Sequence, residues 1–394
     1  MRSSAVSNMA YCGFHRRVAE CAENRRGKWF TDSALLSGLC VSALETINTR
    51  NTRFPFAMGG RYHTIRILLV VLILAGMLAA CSDLLVNNPV HTNNVADFER
   101  AWAITDSVYP YFQFKRINWD SIHTVYLPRA QAAQGDEGFQ LLFDLLAELK
   151  DGHVDLTSQT GQEVRTYTPP RTARDLMSFD PLVVRKYFTE DLKVAGGNRM
   201  EYGILPDGNG YIRILTFTQG TWVYEFNDVL SYLRDTRGLI IDVRHNGGGS
   251  TVISDMMVSR FISSPLPYYP IYIQGKPQNI PALQPSGPFT YTKPVVVLIN
   301  GVCFSTTESF AEMMRQIQNV TLVGDTTGGG GGAPEYFSLP SGREIRVSTK
   351  DLCRYDGMPV EWNGIPPDIV VMQTRDDVKN GYDLQFERAI RLLQ

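Results

Sequence analysis

Three short apolar runs in the second half of the chain constrain its fold more than any other feature. They lie in GLIIDVRHNGGGS (238–250), PVVVLING (294–301) and VTLVGD (320–325). Strands that are apolar on both faces are typical of a parallel sheet with helices packed on either side. Because helical patterns separate these runs, the sequence predicts a parallel-rich α/β core.

The stretch from 95 to 150 carries a different pattern. FERAWAITDSVYPYF and GFQLLFDLLAELKDGH repeat apolar side chains at helical spacing, as Phe139, Leu142 and Leu146 illustrate. Gly152 is expected to end the second helix, since glycine is common just past a helix C-terminus. We therefore predict a small N-terminal helical domain, residues 95–155, ahead of the α/β core, residues 200–394.

Shorter elements and the overall composition complete the fold-level prediction. EYGILPDGNGYIRILTF (201–217) predicts two strands joined by a turn, and a helix is expected over roughly 221–234. The 394 residues are 44% hydrophobic and 20% charged, with a formal net charge of −2. A chain without a basic excess gives no support for a nucleic-acid partner. No Cys or His spacing is typical of a zinc site, so no structural metal is predicted.

The N-terminal segment has the pattern of a bacterial export signal. Arg61 and Arg66 precede a run of 14 apolar or small residues, 67–80, which ends in Leu-Ala-Ala-Cys at Cys81. The run is short for a spanning helix of ~20 residues and has the proportions of a secretory signal. The ending resembles a lipoprotein cleavage box. An uncleaved anchor helix is the alternative.

These features divide the N-terminal part into three predicted segments. Residues 1–57 are expected to be a disordered, non-native upstream extension, with Met58 as the true start. Residues 58–80 would be the lipoprotein signal peptide, Cys81 the lipidated first residue, and residues 81–94 a polar tether. A lipid anchor of this kind would hold the mature chain at the bacterial cell envelope, on the outer membrane or the periplasmic face.

Ser305 stands where an apolar strand changes into a helix. In LINGVCFSTTESFAEMM (298–314) the helical part carries Phe310 and Met314 on one face. Free N–H groups and the positive end of the dipole meet at a helix N-terminus and stabilise negative charge there. The common role for such a serine is an N-cap, and Ser305 with Glu308 matches a capping box. A nucleophile is the alternative, and this stretch alone leaves both readings open.

Two glycine-rich segments follow buried strands. Gly247, Gly248 and Gly249 let the backbone approach a ligand and direct N–H groups towards it. No Gly-Lys-Ser/Thr or GxGxxG spacing is present, so nucleotide binding is not indicated. An oxyanion hole suits the same geometry, and a plain glycine turn is the alternative. The five glycines at 328–332 are either a substrate-contacting loop or a turn.

A serine nucleophile needs a neighbouring base, and the chain offers two candidates. His153 lies in LKDGHVDL (149–156), where it is either a loop residue or the base. His245, beside the first glycine segment, competes with it. Glu361 precedes an Asn-Gly turn in VEWNGIPPDIVV (360–371).

Taken in order, these stretches resemble the C-terminal processing (tail-specific) serine peptidase family. The resemblance is closest to the branch shared with the tricorn core protease and interphotoreceptor retinoid-binding protein. GLIIDVRHNGGG resembles the family's Asp-x-Arg-x-Asn-x-Gly-Gly strand, and FSTTESFAE its Phe-Ser-x-x-Glu nucleophile motif. LVGDTTGGGGG resembles its Val-Gly-x-x-Thr-x-Gly segment, and VEWNGIPPDIVV its Glu-x-x-Gly-x-Pro-Asp close. The match covers 201–369 well and the region around His153 more weakly, and it implies a core of the ClpP/crotonase type.

The resemblance also implies roles for individual residues. One branch of the family uses a Ser–Lys dyad, but GDTTGGGGG (324–332) contains no lysine at the matching place. The other branch takes its base from a histidine in an Asp-Gly-His motif and uses a glutamate before the closing Pro-Asp. By similarity, Ser305 is the nucleophile, His153 the general base and Glu361 the orienting carboxylate.

The backbone N–H groups of Thr306 and of Gly247 or Gly248 would then form the oxyanion hole. The implied function is a membrane-attached serine endopeptidase that cuts peptides or unfolded protein through an acyl-enzyme, without a cofactor. Fewer than 50 residues separate His153 from Glu201, so a PDZ domain of ~90 residues, present in many relatives, does not fit. The alternatives are a non-catalytic relative that binds apolar ligands in the same cleft, and a crotonase-type acyl-CoA enzyme.

Overall fold

The structure is a computed structural model that describes residues 93–158 and 160–394. The upstream extension, the signal peptide, Cys81 and most of the tether lie outside the described residues, so those expectations stay predictions. Asn93–Gln394 belong to one compact unit. No helix within the described ranges is long and apolar enough to cross a membrane.

Helices occupy the N-terminal part and both faces of a central sheet. They are α1 (Asn94–Val108), α2 (Phe112–Lys115), α3 (Trp119–Ala132), α4 (Glu137–Ala147), α5 (Pro170–Asp175), α6 (Pro181–Arg185), α7 (Glu225–Tyr232), α8 (Thr251–Val258), α9 (Thr306–Arg315), α10 (Arg375–Lys379) and α11 (Leu384–Leu392). A 3₁₀ turn, Thr221–Tyr224, leads directly into α7.

The strands form three sheets. They are β1 (Asp155–Thr157), β2 (Glu163–Arg165), β3 (Lys193–Ala195), β4 (Met200–Ile204), β5 (Gly210–Ile214), β6 (Leu239–Asp242), β7 (Ile271–Ile273), β8 (Lys276–Pro277), β9 (Val295–Ile299), β10 (Val320–Gly324), β11 (Pro334–Ser338), β12 (Glu344–Ser348), β13 (Lys350–Leu352) and β14 (Ile369–Val370). The seven-stranded central sheet has the order β14-β10-β9-β6-β5-β4-β3. Strands β14, β10, β9, β6 and β5 run parallel, and β4 and β3 are antiparallel additions at one edge.

Strand β9 is an interior strand of this sheet, between β10 and β6, and is buried on both faces. Val295, Val297 and Ile299 point into the core that α9 covers, while Val296 and Leu298 pack with α11 on the other face. This alternation follows from the two-residue period of a strand. The prediction of a parallel-rich α/β core from the three apolar runs is therefore confirmed.

The N-terminal helices have a core of their own. Phe98, Leu142 and Leu146 from α1 and α4 pack with Ile345 and Val347 of β12. Strand β12 belongs to a four-stranded sheet of order β11-β12-β1-β2, in which β1 directly follows the helices. The helices are thus joined to the C-terminal half of the chain through this sheet, which brings residues near 115 and 150 close to residues near 350.

Several local predictions can be compared with the structure. The paired strands β4 and β5 and the helix after them are where the sequence placed them. Gly152, however, does not end a helix, since α4 stops at Ala147 and Lys150 is the residue with a positive φ, +47°. The five glycines Gly328–Gly332, called the glycine strap below, are all buried. They are therefore a packed segment of the interior and not a free loop.

Candidate active site

Ser305 is the N-cap of α9 and follows the carboxyl end of β9. Its φ and ψ are +58° and −124°, a conformation that residues with a side chain rarely adopt. Strained backbone of this kind concentrates at functional sites. The N–H of Ser305 donates to Oε2 of Glu308 at 2.9 Å, which holds the turn. The half-buried serine therefore stands at a helix N-terminus, as predicted.

Glu308 links the start of α9 to the glycine strap. Its Oε2 also accepts the N–H of Gly330 at 2.8 Å, and its Oε1 accepts the N–H of Gly329 at 2.8 Å and the hydroxyl of Thr327 at 2.6 Å. Burial raises the pKa of Glu308, and these hydrogen bonds oppose the rise. The capping-box glutamate thus fixes the strap against the helix that begins at Ser305.

The glycine loop after β6 passes beside Ser305. A side chain at Gly248, where φ is +102°, would place its Cβ 2.9 Å from Ser305 Cβ and 3.0 Å from the backbone nitrogen of Thr306. Only glycine fits so close an approach. Oδ1 of Asn246 accepts the N–H of Gly248 at 2.9 Å, whereas Gly247 is exposed to solvent. The two predicted glycine donors therefore differ in whether their N–H is free for an oxyanion, because the N–H of Gly248 is already bonded within the loop.

Thr306 connects the glycine loop to the helix. It is the first helical residue, a position whose N–H has no partner within the helix. Its hydroxyl donates to the carbonyl oxygen of Gly249 at 2.7 Å. The structure therefore brings Ser305, Thr306 and Gly248 together, while their part in an oxyanion hole stays a prediction.

His153 lies beside Phe304, the residue before Ser305. The His153 and Phe304 ring centroids are 4.6 Å apart, and His153 is 2% exposed. Neither ring nitrogen of His153 has a hydrogen-bond partner among the described residues. Burial lowers the pKa of His153 to about 3, and the charge of Asp151 opposes this shift. The imidazole is thus neutral and packs on the residue before the serine, but it is not hydrogen-bonded to the Ser305 hydroxyl in this structure.

The Phe304 ring explains three of the glycines around it. A Cβ at Gly152 would lie 2.7 Å from the ring, and one at Gly328 would lie 2.9 Å from it. A Cβ at Gly330 would overlap the ring outright. Gly152 is therefore needed for the close packing of Phe304, which is why it stands before His153 without ending a helix.

Glu361 is buried on the other side of the glycine strap. Its Oε2 accepts the N–H of Gly331 at 3.2 Å, and its Oε1 accepts a hydrogen bond from Nζ of Lys115 at 2.6 Å. Burial and the charge of Asp151 raise the pKa of Glu361 to about 8, and Lys115 opposes the rise. Since both ring nitrogens of His153 lack a partner, Glu361 does not orient the imidazole directly in this structure.

Sequence reasoning missed two charged residues of the site. Oδ1 of Asp151 accepts the backbone N–H of His153 at 2.8 Å, and its Oδ2 accepts the hydroxyl of Ser348 at 2.9 Å and lies 3.9 Å from Nζ of Lys115. Burial disfavours the charge on Asp151, but Lys115 and His153 bring its pKa below the ordinary value. Asp151 could have been found, because it opens the Asp-Gly-His motif. No local sequence pattern points to Lys115, because its partner Glu361 is 246 positions away along the chain.

His245, the competing candidate for the base, has other contacts. Nε2 of His245 is 3.1 Å from the carbonyl oxygen of Asp175, and its ring packs on Phe179 with centroids 5.2 Å apart.

Cys303 and Cys353 are both buried free thiols. Within the described ranges, no three His, Cys, Asp or Glu side chains are arranged to hold a metal ion.

A small cavity opens next to Ser305. Its volume is about 10 Å³, roughly the space of one water molecule. Leu352 and Val360 supply apolar walls, and Glu312 supplies a carboxylate. The cavity beside the serine therefore has room for only a small group.

Two family models match this chain. Peptidase family S41 matches residues 208–371, and the tricorn protease C1 domain matches residues 91–148. The first contains Ser305, the glycine loop, the strap and Glu361, and the second contains Lys115. A carboxy-terminal-processing protease of Bartonella bacilliformis is 27% identical over 186 residues, which are 44% of this chain and 41% of that protein. The chain thus spans about two fifths of the length of the curated relatives it matches.

Solved structures match over a larger share. A crystal structure from Parabacteroides merdae, described as that of a peptidase, is 31% identical to this chain with a TM-score of 0.68. The match covers 77% of this chain and 97% of that one. Mature CPAF shares the fold at 13% identity and a TM-score of 0.60, again over 77% of this chain and 97% of the other.

Proposed function

The chain belongs to peptidase family S41, and we propose that it is a serine peptidase that hydrolyses peptide bonds through an acyl-enzyme on Ser305. One observation carries the proposal. Ser305 stands at the N-terminus of α9 with the Gly248 backbone packed against it, and the residue before it, Phe304, packs its ring on His153. A nucleophile, a neutral base and aimed N–H groups are the parts that acyl transfer requires.

In the proposed reaction, Oγ of Ser305 attacks the carbonyl carbon of the scissile bond while His153 accepts the hydroxyl proton. The new C–O bond turns the carbonyl oxygen into an oxyanion, which the Thr306 N–H, a glycine-loop N–H and the α9 dipole stabilise. Collapse of this intermediate breaks the C–N bond, and the imidazolium protonates the leaving amine. Water then attacks the acyl-enzyme by the same route and releases the acid.

The Ser305–His153 hydrogen bond would form when substrate binds. Catalytic hydrogen bonds are often long or misaligned in empty sites and tighten in the complex. Two unpartnered nitrogens on a buried imidazole cost free energy, and a hydroxyl partner would recover part of it. A substrate backbone that displaces the Phe304 ring would leave the imidazole free to turn towards Ser305.

The substrates we propose are peptides and the tails of unfolded proteins. The name of the Bartonella relative, a carboxy-terminal-processing protease, supports this class. The small cavity beside Ser305 supports a further restriction, namely a small side chain such as that of alanine before the scissile bond.

Covalent labelling with a fluorophosphonate tests the proposal. We expect wild-type protein to be labelled at Ser305, and Ser305→Ala to lose the label completely. His153→Ala should slow labelling ~100- to 10,000-fold, because general-base catalysis contributes about this much. Ser231→Ala, at an exposed serine on α7, and His123→Ala, at a half-buried histidine of the N-terminal helices, are the matched controls.

The result also separates the alternatives. Absence of labelling in the wild type, together with saturable binding of apolar ligands, would replace the peptidase with the non-catalytic relative. Labelling that persists in Ser305→Ala would place the nucleophile elsewhere.

We also propose that a lipid on Cys81 attaches the mature chain to the bacterial cell envelope. The basic residues before the apolar run 67–80 and its Leu-Ala-Ala-Cys ending support this. In a bacterial host, metabolic labelling with a palmitate analogue should mark the wild type and not Cys81→Ser. Equal labelling of both would contradict the anchor without touching the peptidase proposal.

A further inference from the structure

Lys115 is the feature of the site that neither the motifs nor the proposed chemistry explains. It is the last residue of α2, in the N-terminal helices, and its side chain is 0% exposed. A buried ammonium is costly unless it is paired and fully hydrogen-bonded. A chain that keeps one beside a proposed catalytic glutamate therefore has a specific use for it.

The ammonium has three N–H donors, and each finds an acceptor. Nζ donates to Oε1 of Glu361 at 2.6 Å and to the carbonyl oxygens of Leu149 and Lys150 at 3.0 and 3.1 Å. Those two carbonyls belong to the turn that leads into Asp151 and His153. Lys115 thus joins the segment that carries the proposed base to the segment that carries the proposed orienting carboxylate.

Three aromatic rings enclose the ammonium. Nζ lies 5.6 Å from the ring centroid of Tyr109, 5.5 Å from that of Tyr111 and 4.9 Å from that of Trp362. Cation–π attraction is strongest where water is excluded, as it is here. The rings also leave the ammonium little freedom to swing away, so its position is fixed from several directions.

Charge gives a second reason for the lysine. Asp151 and Glu361 are buried on either side of it, with Oδ2 of Asp151 at 3.9 Å and Oε1 of Glu361 at 2.6 Å from Nζ. Two carboxylates buried together repel each other, and a cation between them favours the ionised form of both. Without it, both carboxyl groups would hold their protons to higher pH and their hydrogen bonds would change.

We propose that Lys115 is a positioning residue of the active site, which holds the Glu361 carboxylate and the Asp151–His153 turn in one fixed arrangement. The N-terminal helices then complete a site whose nucleophile and oxyanion donors come from the α/β core. This inference rests on the proposed peptidase function, and it predicts a defect in turnover and not in substrate affinity.

The first experiment replaces Lys115 by methionine, which keeps the length and removes the charge and the donors. We expect kcat for a peptide substrate to fall ~100-fold with KM changed less than about threefold, since small misplacements of reacting groups cost about this much. The acid limb of the pH profile of kcat/KM should move to higher pH, because the ionised form of Glu361 loses its cation. Arg343→Met is the matched control: it breaks another buried ion pair, with Asp97 of α1 at 3.5 Å. It should lower stability without moving the pH profile.

A double variant tests whether a folding defect explains the loss of activity in Lys115→Met. Lys115→Met combined with Glu361→Gln removes both charges, so no unpaired lysine is left buried. If Lys115 acts through Glu361, the double variant should be no slower than Glu361→Gln alone, whereas independent effects would multiply. Measuring the free energy of unfolding of the same four proteins gives the Lys115–Glu361 coupling energy without reference to activity.

The outcomes are distinct. Normal labelling of Ser305 and a wild-type kcat and pH profile in a folded Lys115→Met variant would overturn the inference and leave the proposed function standing. Fully multiplicative losses in the kinetic cycle would overturn the part of the inference in which Lys115 acts through Glu361. A wild type that neither reacts with fluorophosphonate nor cuts peptides would overturn the proposed function, and the inference with it.

Discussion

At the scale of single residues, burial moves the ionisable groups of the site in opposite directions. It lowers the pKa of His153 to about 3, so the imidazole is neutral and can accept a proton. It raises the pKa of Glu361 to about 8, with the charge of Asp151 adding to the effect and Lys115 opposing it. The imidazole is therefore unprotonated at neutral pH, and Glu361 is mostly protonated there.

Glu361 should make stability depend on pH in a defined window. Its folded pKa of about 8 lies above the ordinary value of ~4.3. Between these values the folded chain holds a proton that the unfolded chain has released, so the contribution of Glu361 to stability falls as pH rises. Glu361→Gln cannot titrate. The free energy of unfolding of Glu361→Gln minus that of the wild type should therefore increase from pH 5 to pH 8, by a few kcal/mol in all.

Urea unfolding at pH 5, 6, 7 and 8 measures this difference. Loss of the partner of Lys115 shifts the variant's stability at every pH but not its slope, and titration of His153 cancels between the two proteins. Glu190→Gln, at an exposed glutamate, controls for the substitution itself. Parallel stability curves for Glu361→Gln and the wild type would show that Glu361 does not carry a raised pKa.

At the scale of elements, the glycine strap connects the helix that begins at Ser305 to the segment that carries Glu361. Glu308 of α9 accepts N–H groups from Gly329 and Gly330, and Glu361 accepts that of Gly331. The strap thus separates the serine side of the site from the glutamate side while it is bonded to both. Its glycines are needed for close packing and not for mobility.

Gly330→Ala should disturb the site through the Phe304 ring. The added methyl group would occupy the space of that ring, and overpacking of a buried site costs about 1–3 kcal/mol. We expect a stability loss in that range and a fall in the rate of fluorophosphonate labelling, because the ring contacts His153 and adjoins Ser305. In a Phe304→Ala background, Gly330→Ala should cost much less stability than it does in the wild type, because the ring it would clash with is gone. An equal cost in both backgrounds would exclude the ring as the source of the clash.

The elements were more predictable from the sequence than the contacts between them. The runs around Ile240, Val297 and Leu322 predicted strands because apolar residues on both faces leave few other structures. Ser305 could be placed at a helix start from its neighbours alone. The Lys115–Glu361 pair and the packing of Phe304 on Gly330 could not be predicted, because these contacts join segments with no shared local pattern.

At the scale of the whole molecule, Arg244 holds the sheet and the C-terminal helix together. Its guanidinium donates to both carboxylate oxygens of Asp242 at the end of β6, at 2.9 and 2.7 Å, and to Oδ1 of Asp383 at 2.8 Å. Asp383 caps α11 by accepting the N–H of Phe386. The arginine of the Asp-x-Arg motif, three residues before the glycine loop, therefore joins β6 to α11.

Arg244→Met should destabilise the fold severely. It would leave Asp242 and Asp383 buried without their cation, and breaking a buried pair typically costs about 3–5 kcal/mol. Arg354→Met is a matched control, because Arg354, 14% exposed, makes a similar two-pronged contact with Asp356, which is 48% exposed and so leaves the pair open to solvent. An exposed pair contributes less than about 1 kcal/mol. Urea unfolding should therefore separate the two variants by at least 2 kcal/mol, and equal losses would mean that Arg244 does not join the sheet to α11 as described.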